Sequence, residues 1–405
     1  MNPVATRRIA YARVLLGHAI AAIALLAAGV APWARASADD AHRLTATAQI
    51  LAGITPAPGD PVIDRLAASE PWKEHQQAMQ ANWIEVSARL DAMTKWRTRA
   101  LPLPSERTVI YPFSGPDFLN AHAMFPEHRN MLFFSLENPG QLPDLESISP
   151  RRFAQLLASV RVALRDIFQR NYFITDYMTR QLTAPLLKGV LPIIATMMAL
   201  ADQHILAVRE IDLFPELTLA YGDAGATIGV KRPRKRLRGM QIDYVAASGG
   251  PPHILQYFSL DASDRALTFY PDFLAWVAAH RPALVFIKSA SYLLHDQQFA
   301  HTRDMLLDSA DLLIQDDTGI PFRVLRQAGW QIRLYGHYER PMHSLAYGYQ
   351  ADLQAAFAKG SGDGEGLGLD GSALPFPFGY HGNSGKSLVM IALRASGAKS
   401  AAAGQ

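Results

Sequence analysis

The sequence predicts an α/β fold with a Rossmann-like, mainly parallel sheet, antiparallel additions and a helical N-terminal arm. Short apolar runs of strand length alternate with helix-like segments over residues 105–394, and this alternation is typical of a parallel sheet with crossover helices. Strand-like runs follow one another more closely at 226–259 and 376–393, which indicates the antiparallel additions. Before residue 105 the apolar residues recur at helical spacing instead.

Residues 1–38 have the features of a secretory signal peptide. Arg7, Arg8 and Arg13 precede an apolar run at 14–30, and Ala36-Ser37-Ala38 offers a small-residue cleavage site. We therefore expect an exported protein, periplasmic or extracellular, with a retained membrane anchor as the alternative. The sequence has no cysteine, which excludes a lipoprotein anchor, disulfides and cysteine zinc sites.

The predicted arm covers residues 39–104. Six apolar residues recur three, four or seven positions apart and therefore share one stripe of a long helix. A stripe of this kind usually packs on a domain core. The stripe consists of Trp72, Met79, Trp83, Val86, Leu90 and Met93. Pro102 and Pro104 end the helix, because proline cannot continue one.

Residues 105–394 form the predicted α/β domain, and residues 395–405 a disordered tail. Helices are predicted at 118–125, 150–169, 186–200, 271–279, 299–307, 320–327 and 349–358. Strands are predicted at 108–111, 131–134, 205–208, 226–230, 240–245, 254–259, 283–287, 311–315, 331–335, 376–380 and 388–393. The last two strands are expected to pair as a closing hairpin, and the glycine-rich segment 361–371 to be a flexible loop.

Four candidate ligand-binding residues surround the first two predicted strands of this domain. Ser114, Gly115 and Asp117 form a turn after the first strand, and Glu137 follows the second. In Rossmann-like sheets such a turn and acid hold an adenosine group, and the order is similar to the opening of class I methyltransferases. That resemblance implies a nucleotide or S-adenosylmethionine ligand, although the turn has one glycine rather than three and export would remove the cytoplasmic supply. The alternative is a chain-reversing turn with Asp117 at a helix N-terminus.

Polar residues after two later strands are the candidate catalytic groups. Lys288, Ser291 and His295 follow the strand at 283–287, and Asp316 and Asp317 follow the strand at 311–315. Ligands bind at this edge of open α/β sheets. Serine with histidine could act as nucleophile and base, and the paired carboxylates could bind a divalent cation or act as acid and base. The alternative is that these residues cap helices and form turns.

Aromatic and basic residues near the end of the domain could line a binding pocket. Tyr335, His337 and His381 follow predicted strands and suit sugars or anionic groups. No His-Glu-x-x-His motif is present, and no histidine pair at ligand spacing shares a helix with a carboxylate, so no residue is assigned as a metal ligand from such a motif.

Residues 1–38 contain four of the 39 lysines and arginines and none of the 36 acidic residues, so the rest of the chain has a formal charge of −1. We therefore expect no specific nucleic-acid partner. One basic segment is the local exception, and it predicts an exposed hairpin tip that binds an anionic envelope component, with a solvated turn as the alternative. Its cations are Lys231, Arg232, Arg234, Lys235, Arg236 and Arg238.

Four segments resemble those of a family of exported bacterial proteins without an assigned activity. They are Tyr111–Asp117, Lys288–His295, Gln315–Pro321 and Phe378–His381, and the similarity covers roughly residues 70–395. It implies a shared fold and assigns no catalytic residue.

Three functional hypotheses follow. The first is a cell-envelope hydrolase whose pocket lies at the carboxyl-terminal edge of the sheet. The second is a non-catalytic envelope protein that binds through the basic segment 231–238. The third is a Rossmann-like protein that binds a nucleotide or S-adenosylmethionine.

Overall fold

The computed structural model describes residues 38–101, 107–173, 186–213, 236–359, 367–381 and 384–394. The expected signal peptide (except Ala38), the strand at 226–230, the basic residues 231–235 and the tail at 395–405 lie outside these residues. None of the described helices is both long enough and apolar enough to cross a membrane.

Eleven α-helices occur in the described residues. Pro61, Pro150, Pro192 and Pro271 each lie in the first turn of a helix, where the missing N–H of proline costs no hydrogen bond. The helices are α1 (Ala38–Ala52), α2 (Pro61–Ala67), α3 (Glu70–Ala100), α4 (Phe118–Met124), α5 (Pro150–Arg170), α6 (Leu191–Leu200), α7 (Asp264–Leu267), α8 (Pro271–Ala279), α9 (Ala300–Ser309), α10 (Phe322–Gln327) and α11 (Ala351–Lys359).

Ten strands form one mixed sheet in the order β3-β4-β5-β2-β1-β6-β7-β10-β8-β9. The strands are β1 (Val109–Pro112), β2 (Asn130–Ser135), β3 (Gln203–Leu213), β4 (Leu237–Ala246), β5 (His253–Ser259), β6 (Ala283–Ile287), β7 (Ala310–Gln315), β8 (Gln331–Gly336), β9 (Leu367–Asp370) and β10 (Leu388–Leu393). Strands β5, β2, β1, β6 and β7 are parallel neighbours, whereas β4 and β10 run antiparallel to both of their partners. The predicted α/β class with antiparallel additions is confirmed.

The helices cover both faces of the sheet. Successive strand residues point to opposite faces, so Tyr111 and Phe286 join one hydrophobic cluster while Ile110 and Val285 join the other. The first cluster contains residues of α1 to α6, and the second contains residues of α7 to α11. The central strands are therefore buried on both sides, as expected of a parallel sheet.

The strand order reverses at the boundary between β1 and β6, which is the topological switch point of the sheet. From β1 it proceeds to β2 and β5 on one side, and β6 and β7 then lie on the other side. Crossovers on opposite sides leave a crevice outside the carboxyl ends of the two strands, which is where open α/β sheets bind ligands.

The predicted closing hairpin is wrong. Residues 376–380 form no strand, and β10 pairs with β7 and β8 instead. Part of the expected flexible loop 361–371 is also ordered, because residues 367–370 form β9 beside β8. The predicted helix 186–200 begins only at Leu191, since Lys188 forms a bridge with Gln141 and Gly189 has a positive φ of 76°.

Candidate functional site

A cavity of about 520 Å³ opens at the carboxyl ends of β1, β2 and β6. Its walls include the residues that directly follow these strands, at 113–115, 136–137 and 288–291. Tyr172 and Phe173 after α5, Tyr380, and residues of the segment after β8 complete the lining. The cavity thus lies at the switch point of the sheet, and its volume is within the usual range for small-molecule sites.

A buried ion pair forms the base of the cavity. The Lys288 Nζ lies 3.0 Å from the Asp117 Oδ2, and both side chains are almost fully buried. Lys288 also donates to the backbone oxygen of Asn171. The Asp117 carboxylate accepts from the Tyr111 hydroxyl (2.9 Å to Oδ2) and from the Asn120 side-chain amide (2.8 Å to Oδ1). Neighbouring groups therefore satisfy both charges, as a buried pair requires.

Tyr111 is held as a hydrogen-bond donor in this network. The pKa of Tyr111 is raised well above its usual value, mainly by burial and secondly by the adjacent Asp117 carboxylate. The phenol consequently stays protonated and donates to Asp117. The sequence pattern gave no sign of this contact, because Tyr111 occupies an ordinary buried strand position.

Glu137 presents a carboxylate to the cavity from the end of β2. Its Oε2 accepts from the Ser135 Oγ at 2.6 Å, and its backbone oxygen accepts from the Tyr257 hydroxyl at 2.8 Å. Tyr257 lies on the neighbouring strand β5 and also contacts the Ser135 Oγ at 2.7 Å. The carboxylate is thus fixed in orientation, and its Oε1 has no hydrogen-bond partner among the described residues.

The segment Ser289–Tyr292 carries an unusual concentration of left-handed backbone. Ser289, Ser291 and Tyr292 have φ values of 54°, 51° and 56°. Such values are unfavourable for residues other than glycine. Strained backbone of this kind often marks a functional site, and here it forms one wall of the cavity.

Ser291 lines the cavity, but its hydroxyl faces a poor base. The Tyr380 hydroxyl donates to the Ser289 carbonyl oxygen (2.8 Å), so Ser291 donates to the Tyr380 oxygen (2.6 Å). Burial raises the pKa of Tyr380 to about 12, so its phenol stays neutral at physiological pH. A neutral phenol accepts a hydrogen bond from Ser291, but it is too weak a base to remove the serine proton. In the described structure Ser291 therefore lacks the partner that a nucleophilic serine needs.

The other three predicted catalytic residues do not line the cavity. Asp316 accepts from the backbone nitrogen of Ser289 (2.8 Å) and from Thr318, and Asp317 accepts from the Tyr292 hydroxyl. Burial lowers the pKa of His295 to about 4, which leaves its ring neutral at physiological pH. Asp316 and Asp317 thus hold the strained segment through hydrogen bonds, and the His295 ring packs edge-to-face on Tyr292.

The predicted ligand-binding residues divide into two groups. Ser114, Gly115, Asp117 and Glu137 all line the cavity. The other group does not: Tyr335 packs edge-to-face on Trp96 in a separate cavity, His337 is exposed, and His381 is half-buried. For His381, burial lowers the pKa.

The described part of the basic segment consists of its last three residues. Arg236 forms an ion pair with Asp212 of β3, and Arg238 is an exposed residue of β4. Residues 231–235 lie outside the described structure.

Several cavity residues could not be found from sequence. Tyr172 and Phe173 follow a helix, and Tyr380 follows a segment without regular structure. Only the three-dimensional packing brings them to the strand ends, and no local pattern distinguishes them.

The charges that line the cavity have a net value of −1, from the carboxylates of Asp117 and Glu137 and the ammonium of Lys288. Within the described residues, no group of three or more histidine, aspartate or glutamate side chains could hold a metal ion. Because the net charge of its lining is negative, the cavity favours neutral or cationic ligands.

No protein-family model, curated protein or solved structure significantly matches this chain.

Proposed function

We propose that the protein binds a nucleoside-type ligand, in which a flat ring is joined to a sugar with two adjacent hydroxyl groups. The Glu137 carboxylate carries this proposal. It follows β2 beside the switch point and is oriented by Ser135, and it keeps Oε1 available for a donor. An acid in this position accepts hydrogen bonds from ribose hydroxyls in dinucleotide-binding sheets.

Apolar walls suit the ring of such a ligand. Phe113, Tyr172, Phe173 and Leu293 line the same cavity. Aromatic and aliphatic side chains bind flat rings through apolar contact and stacking. The cavity thus offers a place for the ring in addition to the acid for the sugar.

The charge of the cavity argues for a ligand without phosphate. Asp117 already neutralises Lys288 at 3.0 Å, which leaves the Glu137 carboxylate as the uncompensated charge of the lining. A phosphate group would meet repulsion there. Neutral adenosine and the sulfonium cation of S-adenosylmethionine are better suited than AMP.

The sheet order adds support at the level of the fold. Strands β5-β2-β1-β6-β7 follow the 3-2-1-4-5 order of dinucleotide-binding sheets. Fold likeness does not establish a reaction, so the proposal is limited to binding. A free nucleoside also requires no cytoplasmic co-substrate, and binding is compatible with export.

The test is titration calorimetry with adenosine, S-adenosylmethionine, AMP and 2′,3′-dideoxyadenosine. We expect adenosine or S-adenosylmethionine to bind at least tenfold more tightly than AMP. Glu137→Gln should weaken adenosine binding about tenfold or more, because a hydrogen bond to a charged group contributes about 1.5–3 kcal/mol. The same substitution should leave the affinity for dideoxyadenosine nearly unchanged, since that compound lacks the 2′ and 3′ hydroxyls that Glu137 is proposed to bind.

Glu74→Gln is the matched control, because Glu74 is an exposed residue of α3. It should alter none of these affinities. Absence of heat with every compound would show the proposal to be wrong. Equal affinity for adenosine and dideoxyadenosine would disprove the role of Glu137.

A further inference from the structure

The mouth of the cavity carries an unusual share of exposed apolar side chains. Six large hydrophobic side chains are exposed in the described residues: Ile84, Leu136, Val162, Met342, Tyr347 and Tyr349. Leu136 (63% exposed) and Met342 (38%) line the cavity itself. Tyr347 (70%) borders it, because its hydroxyl donates to the backbone oxygen of Ser291 at 3.0 Å. We call Leu136, Met342 and Tyr347 the apolar rim.

The base of the cavity has the opposite character. Asp117, Glu137 and Lys288 are each less than one-tenth exposed and form the polar lining next to the strand ends. The cavity thus has charged, hydrogen-bonding groups at its base, apolar walls, and exposed apolar side chains at its entrance. A compact polar ligand would contact the interior and leave the rim in water.

We propose that the ligand carries an apolar group, an alkyl chain or an aromatic ring, that packs on the apolar rim while its nucleoside part occupies the interior. This inference rests on the proposed nucleoside function. Exposed apolar side chains that cluster beside a cavity are typical of ligand-binding grooves, whereas singly scattered ones are ordinary. The rim is continuous with the cavity lining, so one small molecule reaches both zones.

The three rim residues come from two separate parts of the fold. Leu136 lies directly between Ser135 and Glu137 at the end of β2, whereas Met342 and Tyr347 lie in the segment after β8. An apolar group between them would be buried from both directions. Burial of two methylene groups increases affinity roughly tenfold.

The experiment compares adenosine with two series of derivatives by calorimetry. One series carries butyl, hexyl or benzyl groups on the base nitrogen N6, and the other carries the same groups as 5′-thioethers. We expect at least one series to bind tenfold or more tightly than adenosine, with the affinity rising from butyl to hexyl.

Leu136→Ser and Met342→Ser should each reduce this gain severalfold, measured as the ratio of derivative affinity to adenosine affinity. The matched controls are Ile84→Ser (73% exposed in the wild type) and Val162→Ser (38%). Both lie on helices that do not line the cavity, so they should retain the full gain. Thermal unfolding checks that each variant is folded, and either rim variant alone is sufficient for the test.

The outcomes separate this inference from the proposed function. If adenosine binds but no derivative gains affinity, the apolar group is disproved and the nucleoside site remains. A gain that persists in both rim variants also overturns the inference. If neither adenosine nor any derivative binds, the proposed function fails and the inference fails with it.

Discussion

Lys288 and Asp117 make contact at the base of the cavity although they belong to different crossover units of the sheet. Their side chains are 1% and 3% exposed. The attraction between them offsets the cost of removing two charges from water only while both are present. Burial of either charge therefore destabilises the folded protein unless the other charge is present.

We predict that Lys288→Met and Asp117→Asn each lower the free energy of unfolding by about 3–5 kcal/mol. Each substitution removes one charge of the pair and leaves the other buried without compensation. The double variant should lose less than the sum of the two single losses. Urea denaturation measures all three values.

Lys386→Met is the comparison for this prediction. Lys386 pairs with Glu339 at 3.2 Å, but these side chains are 55% and 41% exposed. Loss of an exposed pair should cost less than about 1 kcal/mol. If Lys288→Met lowered the free energy of unfolding by no more than Lys386→Met does, Lys288 and Asp117 would not form a buried, mutually dependent pair.

The sequence was informative for residues that directly follow apolar strands. Lys288 and Glu137 were predicted as site residues on this basis, and both line the cavity. Their partners were not foreseen, since the Tyr257 hydroxyl and the Asn171 carbonyl reach them from other strands and helices. Local patterns identify the end of a strand but not the side chains that another element brings to it.

At the level of elements, the strained wall Ser289–Tyr292 is held by the turn that follows β7. The Asp316 carboxylate accepts from the backbone nitrogen of Ser289 (2.8 Å), and the Thr318 Oγ1 accepts from that of Ala290 (2.7 Å). Asp317 binds the Tyr292 hydroxyl. These contacts compensate for the unfavourable backbone, so the predicted catalytic carboxylates act as structural supports in this arrangement.

Asp317 should make the stability of this arrangement depend on pH. Burial, together with the neighbouring Asp316 carboxylate, raises the pKa of Asp317 to about 7 from 3.8. The folded protein thus holds a proton that the unfolded chain releases. The resulting stabilisation is fully present below about pH 4 and is lost as the pH rises through 7.

We predict that the free energy of unfolding of the wild type, relative to Asp317→Asn, falls by about 2–3 kcal/mol between pH 5 and pH 8. Asparagine keeps an oxygen for Tyr292 and has no proton to release. Asp304→Asn, at an exposed position of α9, should give no such difference. Parallel pH profiles for the wild type and Asp317→Asn would show that Asp317 is ionised throughout this range.

The closing hairpin illustrates why one element was predicted incorrectly. Pro375 and Pro377 flank Phe376, and prolines cannot donate the hydrogen bonds of a paired strand. In contrast, β10 is apolar throughout and buried on both faces. That composition suits a central strand between two neighbours, which is its position between β7 and β8.

At the scale of the whole molecule, the alternation of strands and helices was sufficient to predict the fold class. The order of the strands was not predictable in the same way, because β10 joins the sheet only after the chain has formed β8 and β9. Its insertion places the end of the described chain inside the sheet, in the same hydrophobic cluster as the central strands. The N-terminal helices pack on the same cluster, since it contains both Leu51 of α1 and Ile391 of β10.

This shared cluster leads us to expect that α3 and the sheet unfold together. Met93 of α3 is fully buried in the cluster, so Met93→Ala should lower the free energy of unfolding by about 2–5 kcal/mol through loss of contacts and a cavity. Hydrogen exchange should show an equal loss of protection in peptides from α3 and in peptides from β1, β2 and β6, because the most protected amides exchange only through global opening. Ile84→Ala, at an exposed position of the same helix, should change both by less than about 0.5 kcal/mol. Loss of protection confined to α1–α3 would instead identify the N-terminal helices as an independent folding unit.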